Sequence, residues 1–103
     1  MEIEVFYFEA CPKYQDAREI LDTVLVSRGI DPAVVKSFRV DAKTATELRF
    51  QGSPTIRVDG TDIEPGFEDS GDYGLRCRLY PTASGVAHMP DVAWIESAID
   101  RAL

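Results

Sequence analysis

Two hydrophobic rhythms divide the chain. Residues 3–8, Ile-Glu-Val-Phe-Tyr-Phe, are largely apolar on both parities of a two-residue repeat. A strand with that pattern buries both faces, so it belongs in the middle of a sheet. Over residues 12–28 the rhythm lengthens. Tyr14, Ala17, Leu21, Val24 and Leu25 share one helical face, while Lys13, Asp16, Glu19 and Asp22 are polar. Pro12 suits a first helical turn, where its missing N–H costs nothing, and Gly29 fits the stop. Residues 33–41 read as a second strand, with Val34, Phe38 and Val40 carrying part of its parity. Thr44-Ala-Thr-Glu47 has capping-box spacing and predicts a short helix over 44–50, ended by Gly52. Thr55 to Val58 then reads as a third strand, stopped by the turn pair Asp59-Gly60.

The last third is less regular. Residues 61–72 carry Asp62, Glu64, Glu68, Asp69 and Asp72, no base, and the breakers Pro65, Gly66 and Gly71. They predict an acidic loop inserted between the third and fourth strands, long for a hairpin. Residues 74–80 alternate, with Leu75, Cys77 and Leu79 on one parity and Arg76, Arg78 and Tyr80 on the other. That pattern predicts a fourth strand with its Leu-Cys-Leu face buried, at an edge guarded by arginines. After a loop through Ser84-Gly85, Pro90 opens a final helix with Val92, Ile95 and Ile99 inward. The expected order is βαβαββα: one α/β domain over residues 1–103, a four-stranded mixed sheet flanked by helices.

Composition narrows the partners. The 103 residues suffice for one core, and 45% hydrophobic with 28% charged residues suits a globular chain. No apolar run approaches the ~20 residues that span a bilayer. The acidic start, Met-Glu-Ile-Glu, lacks the basic opening of a secretory signal, so the expected compartment is the cytoplasm. A net charge of −7 argues against nucleic acid and anionic membrane as partners. Two cysteines do not make a disulfide scaffold, and His88, the sole histidine, is expected on a surface loop. The acidic loop lacks EF-hand spacing and is read as solvated, so neither a metal nor a cofactor is expected.

The candidate chemistry centres on Cys11. If the first strand ends near Ala10, the thiol sits at or just before the first helical turn, where unpaired N–H groups and the helix dipole favour a thiolate. Lys13 would help, while Glu9 and Asp16 would oppose. The third strand should run antiparallel to the first, which brings Ser53-Pro54 to face Cys11. The element order, Cys11-Pro12-Lys13-Tyr14 and Ser53-Pro54-Thr55 together resemble the thioredoxin-like superfamily over nearly the whole chain. More narrowly, YFEACPKY, GSPTIRVDG and YGLRCRLY are similar to small, mostly uncharacterised bacterial thioredoxin-like proteins with a single-cysteine Cys-Pro-x-x motif. The resemblance implies a thioredoxin-like fold and a cis Ser53–Pro54 bond. It also implies a substrate groove formed by Pro12, Tyr14, Ser53, Pro54 and Thr55.

One departure limits the activity. Thioredoxins carry a second cysteine where this chain has Tyr14, so the motif cannot release a mixed disulfide by itself. Tyr14 lies on the apolar helix face and also suits core packing with a polar tip. Cys77 is the possible second thiol. Its parity predicts burial, near mid-strand and about 10 Å from the first strand at ~4.8 Å per strand spacing. Disulfides need Cα atoms within about 7 Å, so direct pairing with Cys11 is not expected. The resulting expectation is monothiol thiol–disulfide exchange through Cys11. An external low-molecular-weight thiol or a partner protein's cysteine would resolve it. The alternative is a non-catalytic binding module or a handler of thiophilic metals and organomercurials.

Overall fold

The computed structural model describes residues 1–103. Its centre is a four-stranded mixed sheet in the order β2-β1-β3-β4. Strand β1 (Ile3–Tyr7) runs parallel to β2 (Val35–Arg39) and antiparallel to β3 (Thr55–Val58). The two-faced apolar pattern of β1 explains its central place. Ile3 and Val5 enter one core cluster, and Phe6 enters another.

Helix α1 (Tyr14–Ser27) and helix α3 (Val92–Ala102) supply the larger cluster. Leu21, Val24 and Leu25 meet Ile95, Ala98 and Ile99 over Ile3, Val5, Ile56 and Val58. Burying each such side chain contributes about 1.5–3 kcal/mol before entropy is subtracted. Gly29, at φ 72°, lets α1 stop as a Schellman turn, with Ile30 N–H bonding the Leu25 carbonyl at 2.9 Å and Gly29 N–H bonding that of Val26 at 3.0 Å. Arg28 then joins the helices by a two-pronged contact to Asp100 at 3.0 and 3.1 Å. Asp91 rather than Pro90 caps α3, its Oδ1 accepting the Ala93 N–H. Short helix α2 (Thr44–Glu47) covers the smaller cluster of Phe6, Val40, Ala45 and Phe50.

Several expectations need correction. The capping box does not form: Asp41 Oδ1 accepts the Thr44 N–H at 2.8 Å, which leaves Thr44 inside the helix. Arg49 at φ 52° ends that helix before Phe50. The second strand is shorter than 33–41 because Pro32–Val34 forms a 3-10 turn, capped by Asp31. The largest difference is the fourth strand. It is β4 (Thr61–Asp62), paired with β3 straight across the Asp59-Gly60 turn. The acidic stretch therefore follows the fourth strand and does not separate it from the third. Asp59 takes φ 50° and Gly60 φ 80°, the left-handed pair that a tight two-residue hairpin turn demands.

Residues 74–79 form no regular strand, and their burial is the reverse of the expected parity. Leu75, Cys77 and Leu79 are exposed, while Arg78 and Tyr80 are buried. The reason lies in the acidic stretch. Arg78 docks on Asp62 through two contacts, 2.6 and 2.9 Å, and on Glu64 at 3.2 Å. Its guanidinium also lies over the rings of Phe67 and Tyr80, at 4.9 and 4.4 Å. Two carboxylates and two ring faces make burial of this charge possible. A separate ribbon, β5 (Tyr80–Thr82) and β6 (Gly85–Ala87), leads on toward α3. No helix is long and apolar enough to cross a membrane.

Candidate functional site

The end of β1 positions Cys11. After Tyr7 the chain turns, and the Cys11 N–H closes that turn on the Phe8 carbonyl at 3.0 Å. The thiol is half-buried, three residues ahead of the first residue of α1. It lines an open cleft of about 450 Å³ with Tyr7, Glu9, Pro12, Tyr14, Gln15, Asp16 and Arg39. Charges of both signs surround it. Arg39 and Glu9 stand 3.5 Å apart and are both well exposed, so water screens the pair and Arg39 can turn to another anion.

Tyr14, three residues after Cys11, is tied into the scaffold. Its ring stacks on Tyr7 at 3.7 Å and 12°, and its hydroxyl donates to Ser37 Oγ at 3.0 Å. Arg18 Nη1 donates to the same oxygen at 3.0 Å. The tyrosine thus forms one wall of the cleft and links α1 to the edge strand β2. Sequence reasoning missed Tyr7 and Arg39 as cleft residues. The parallel pairing of β1 with β2, which sets Tyr7 opposite Arg39, is the signal that brings them together.

Ser53, Pro54 and Thr55 lie at the same end of the sheet, since Thr55 pairs with Phe6 and the chain before it rises past Phe8. The Ser53–Pro54 peptide is cis, the isomer that the resemblance implies. These three residues do not line the Cys11 cleft, and all three are buried. The groove expected over Ser53 is closed by the chain's own residues. Ser53 N–H donates to the Arg76 carbonyl at 2.8 Å, and Arg78 N–H donates to the Ser53 carbonyl at 2.9 Å. Gly52 permits this close passage. At φ 128° it holds a conformation other residues resist, and a Cβ there would lie 2.9 Å from Arg78 Cα.

Cys77 sits between those two bonds as the bridge partner of Ser53. It was expected as a buried mid-strand thiol two strands from β1. It is instead exposed and lies at the Cys11 end of the sheet. Both cysteines are free. Ser53 Oγ, in turn, is buried and has no hydrogen-bond partner.

Tyr80 binds the two halves of this region. Its hydroxyl donates to the Pro54 carbonyl, and its ring tilts against Trp94 at 6.1 Å. Burial pushes the phenol well above its ordinary range. The Arg78 charge opposes that rise, while the charges of Asp62, Glu64 and Cys11 add to it. Cys11 is thus within electrostatic reach of the residue that holds Pro54. Burial alone would lower the Arg78 guanidinium, but Asp62 and Glu64 reverse this and leave it raised. Arg78, Asp62, Glu64 and Tyr80 were missed as members of this region. An acidic stretch with no base of its own, followed by two arginines, is the sequence feature that could have found them.

Compared with known proteins, the chain matches no protein-family model, no curated protein and no solved structure, so its role has to be read from these residues.

Proposed function

We propose that this protein is a thioredoxin-like thiol–disulfide exchange protein in which Cys11 is the attacking sulfur. One observation carries the reading. Cys11 and a cis Ser53–Pro54 peptide lie at one end of a sheet ordered β2-β1-β3-β4, where Tyr80 holds the Pro54 carbonyl. The parallel β1–β2 pair with α1 between them supports the same family resemblance. In this reading the Cys11 thiolate attacks a disulfide R–S–S–R′. A Cys11–S–S–R bond forms, and R′S⁻ leaves. Tyr14 has no sulfur to offer, so release of RS⁻ requires a thiol from outside the 11–14 turn. An external low-molecular-weight thiol, or a cysteine of a protein partner, is sufficient.

The direct test is reduction of a small disulfide under excess external thiol, with Cys11→Ser alongside. Turnover lost in the variant supports the reading, and turnover unchanged in it refutes the assignment of Cys11. Alkylation at neutral pH should also be faster at Cys11 than at Cys77, read by mass spectrometry of each single-cysteine variant. The closed groove over Ser53 favours a second reading, a thioredoxin-like binding module with Cys11 as a ligand for thiophilic metals. No turnover, together with tight Hg²⁺ binding that Cys11→Ser removes, would select it.

A further inference from the structure

Cys77 has no part in monothiol chemistry, yet its setting is specific. Residues 74–79 are a strap outside every strand, whose backbone joins the sheet only at Ser53 while the Arg78 side chain reaches Thr55 and Asp62. A bridged residue lies about one strand spacing, ~4.8 Å, from its partner. Cys77 is thus that close to the residue preceding the cis proline. The strap begins near Cys11 as well. Leu75 lines a surface hollow of about 270 Å³ with Phe8, Glu9 and Ala10, the turn that carries Cys11. Extended chain covers about 3.3 Å per residue, so Cys77 is two short steps from that contact.

The strap's two ends are held differently. Downstream, Arg78 is anchored on Asp62 and Glu64, and Tyr80 on Pro54. Upstream, the side-chain polar contacts are exposed, with Arg76 bonding Asp72 at 3.1 and 3.2 Å. Cys77 itself is exposed, and its backbone N–H and carbonyl bond nothing. Upstream, one backbone bond, from the Ser53 N–H to the Arg76 carbonyl at 2.8 Å, holds the strap; once it opens, that half can pivot about Arg78 while the downstream half stays in place. Paired residues in a bridge send their side chains to one face, so the Cys77 sulfur and the Ser53 hydroxyl leave on the same side. That hydroxyl is buried and has no hydrogen-bond partner.

We propose that Cys77 is the resolving thiol of this protein. The proposal rests on Cys11 being the attacking sulfur and adds an internal route to the external one. After Cys11–S–S–R has formed, the Cys77 thiolate attacks the Cys11 sulfur. A Cys11–Cys77 disulfide forms and RS⁻ leaves, taking a proton from water. Over both steps the substrate disulfide gains two electrons and the protein dithiol loses two. External thiols then restore the dithiol by the same exchange run in reverse.

The test treats reduced wild type, Cys77→Ser and Cys11→Ser with glutathione disulfide, quenches by alkylation and reads intact masses and peptide maps. Wild type should lose both free thiols, carry no glutathione and yield a Cys11–Cys77 link within one chain. Cys77→Ser should instead retain one glutathione on Cys11. Because Cys77 is exposed, this variant keeps the fold, which circular dichroism checks. A wild type that retains glutathione on Cys11 as fully as Cys77→Ser removes Cys77 from the mechanism and leaves the Cys11 reading standing. A Cys77–Cys77 link between two chains also overturns the proposal. If Cys11 takes up no glutathione in either protein, both readings fall together.

Discussion

The two sides of this molecule are held together by different forces. The sheet, α1 and α3 meet through interlocking aliphatic side chains, with the Arg28–Asp100 pair at their rim. The region from Glu64 to Leu79, between buried Ile63 and buried Tyr80, adds no residue to the apolar clusters. It is fastened by one arginine on two carboxylates, a few exposed polar contacts and one two-bond bridge. An apolar core opens only when much of it opens, because its strength is spread over many contacts. A polar fastening concentrates strength at a point and leaves the chain around it free to move. The Cys11 turn rises from the first kind of structure, and Cys77 rides on the second.

The sharpest way to break this contrast is Arg78→Ala. It strands Asp62 and Glu64 as unpaired, largely buried carboxylates, and such changes typically cost about 3–5 kcal/mol. Urea unfolding should show that loss, and amide exchange should show the bridge at Ser53 released. Leu21→Ala attacks the other side. Leu21 is fully buried in the aliphatic cluster, so about 2–5 kcal/mol should be lost. Here amide protection should fall across the whole sheet and not selectively at the strap. Equal patterns for the two variants would erase the distinction.

Gly52→Ala sharpens the comparison at smaller scale. The added methyl would meet Arg78 backbone, and crowding of this kind costs about 1–3 kcal/mol. The strap should lift, and alkylation of Cys77 should quicken while the far-ultraviolet spectrum is unchanged. Tyr80→Phe comes last. It removes the bond to the Pro54 carbonyl, worth about 0.5–1.5 kcal/mol near neutrality. It also alters the alkaline limb. The phenol is raised in the folded chain, so its stabilising effect is full below the unfolded value of about 10 and fades as pH rises through the folded one. Wild type should lose stability above about pH 10, and the variant should lose less.

How much of this was legible in the sequence follows the same division. β1, α1, β3 and α3 announced themselves because one repeat each decided which face was buried. The place of Cys11 ahead of α1 followed from that, as did the approach of Ser53-Pro54. Residues 74–80 misled because Leu-x-Cys-x-Leu is the more hydrophobic parity. The partners that let Arg78 enter lie 14 and 16 residues away, beyond any local pattern. The exposure of Cys77 was hidden for that reason. The helix at Thr44 misled on a finer scale, since Asp41 outcompeted Thr44 for the cap.

The tight turn at Asp59-Gly60 has one more consequence. By completing the sheet at Asp62, it makes the 28 positions from 63 to 90 a single detour between finished sheet and final helix. The entropy of closing such a detour grows only with the logarithm of its length. Its size and contents can thus be rewritten without re-registering the four-stranded sheet. Selection, or a designer, could trade one strap for another and give the same sheet and helices a different cover beside Ser53.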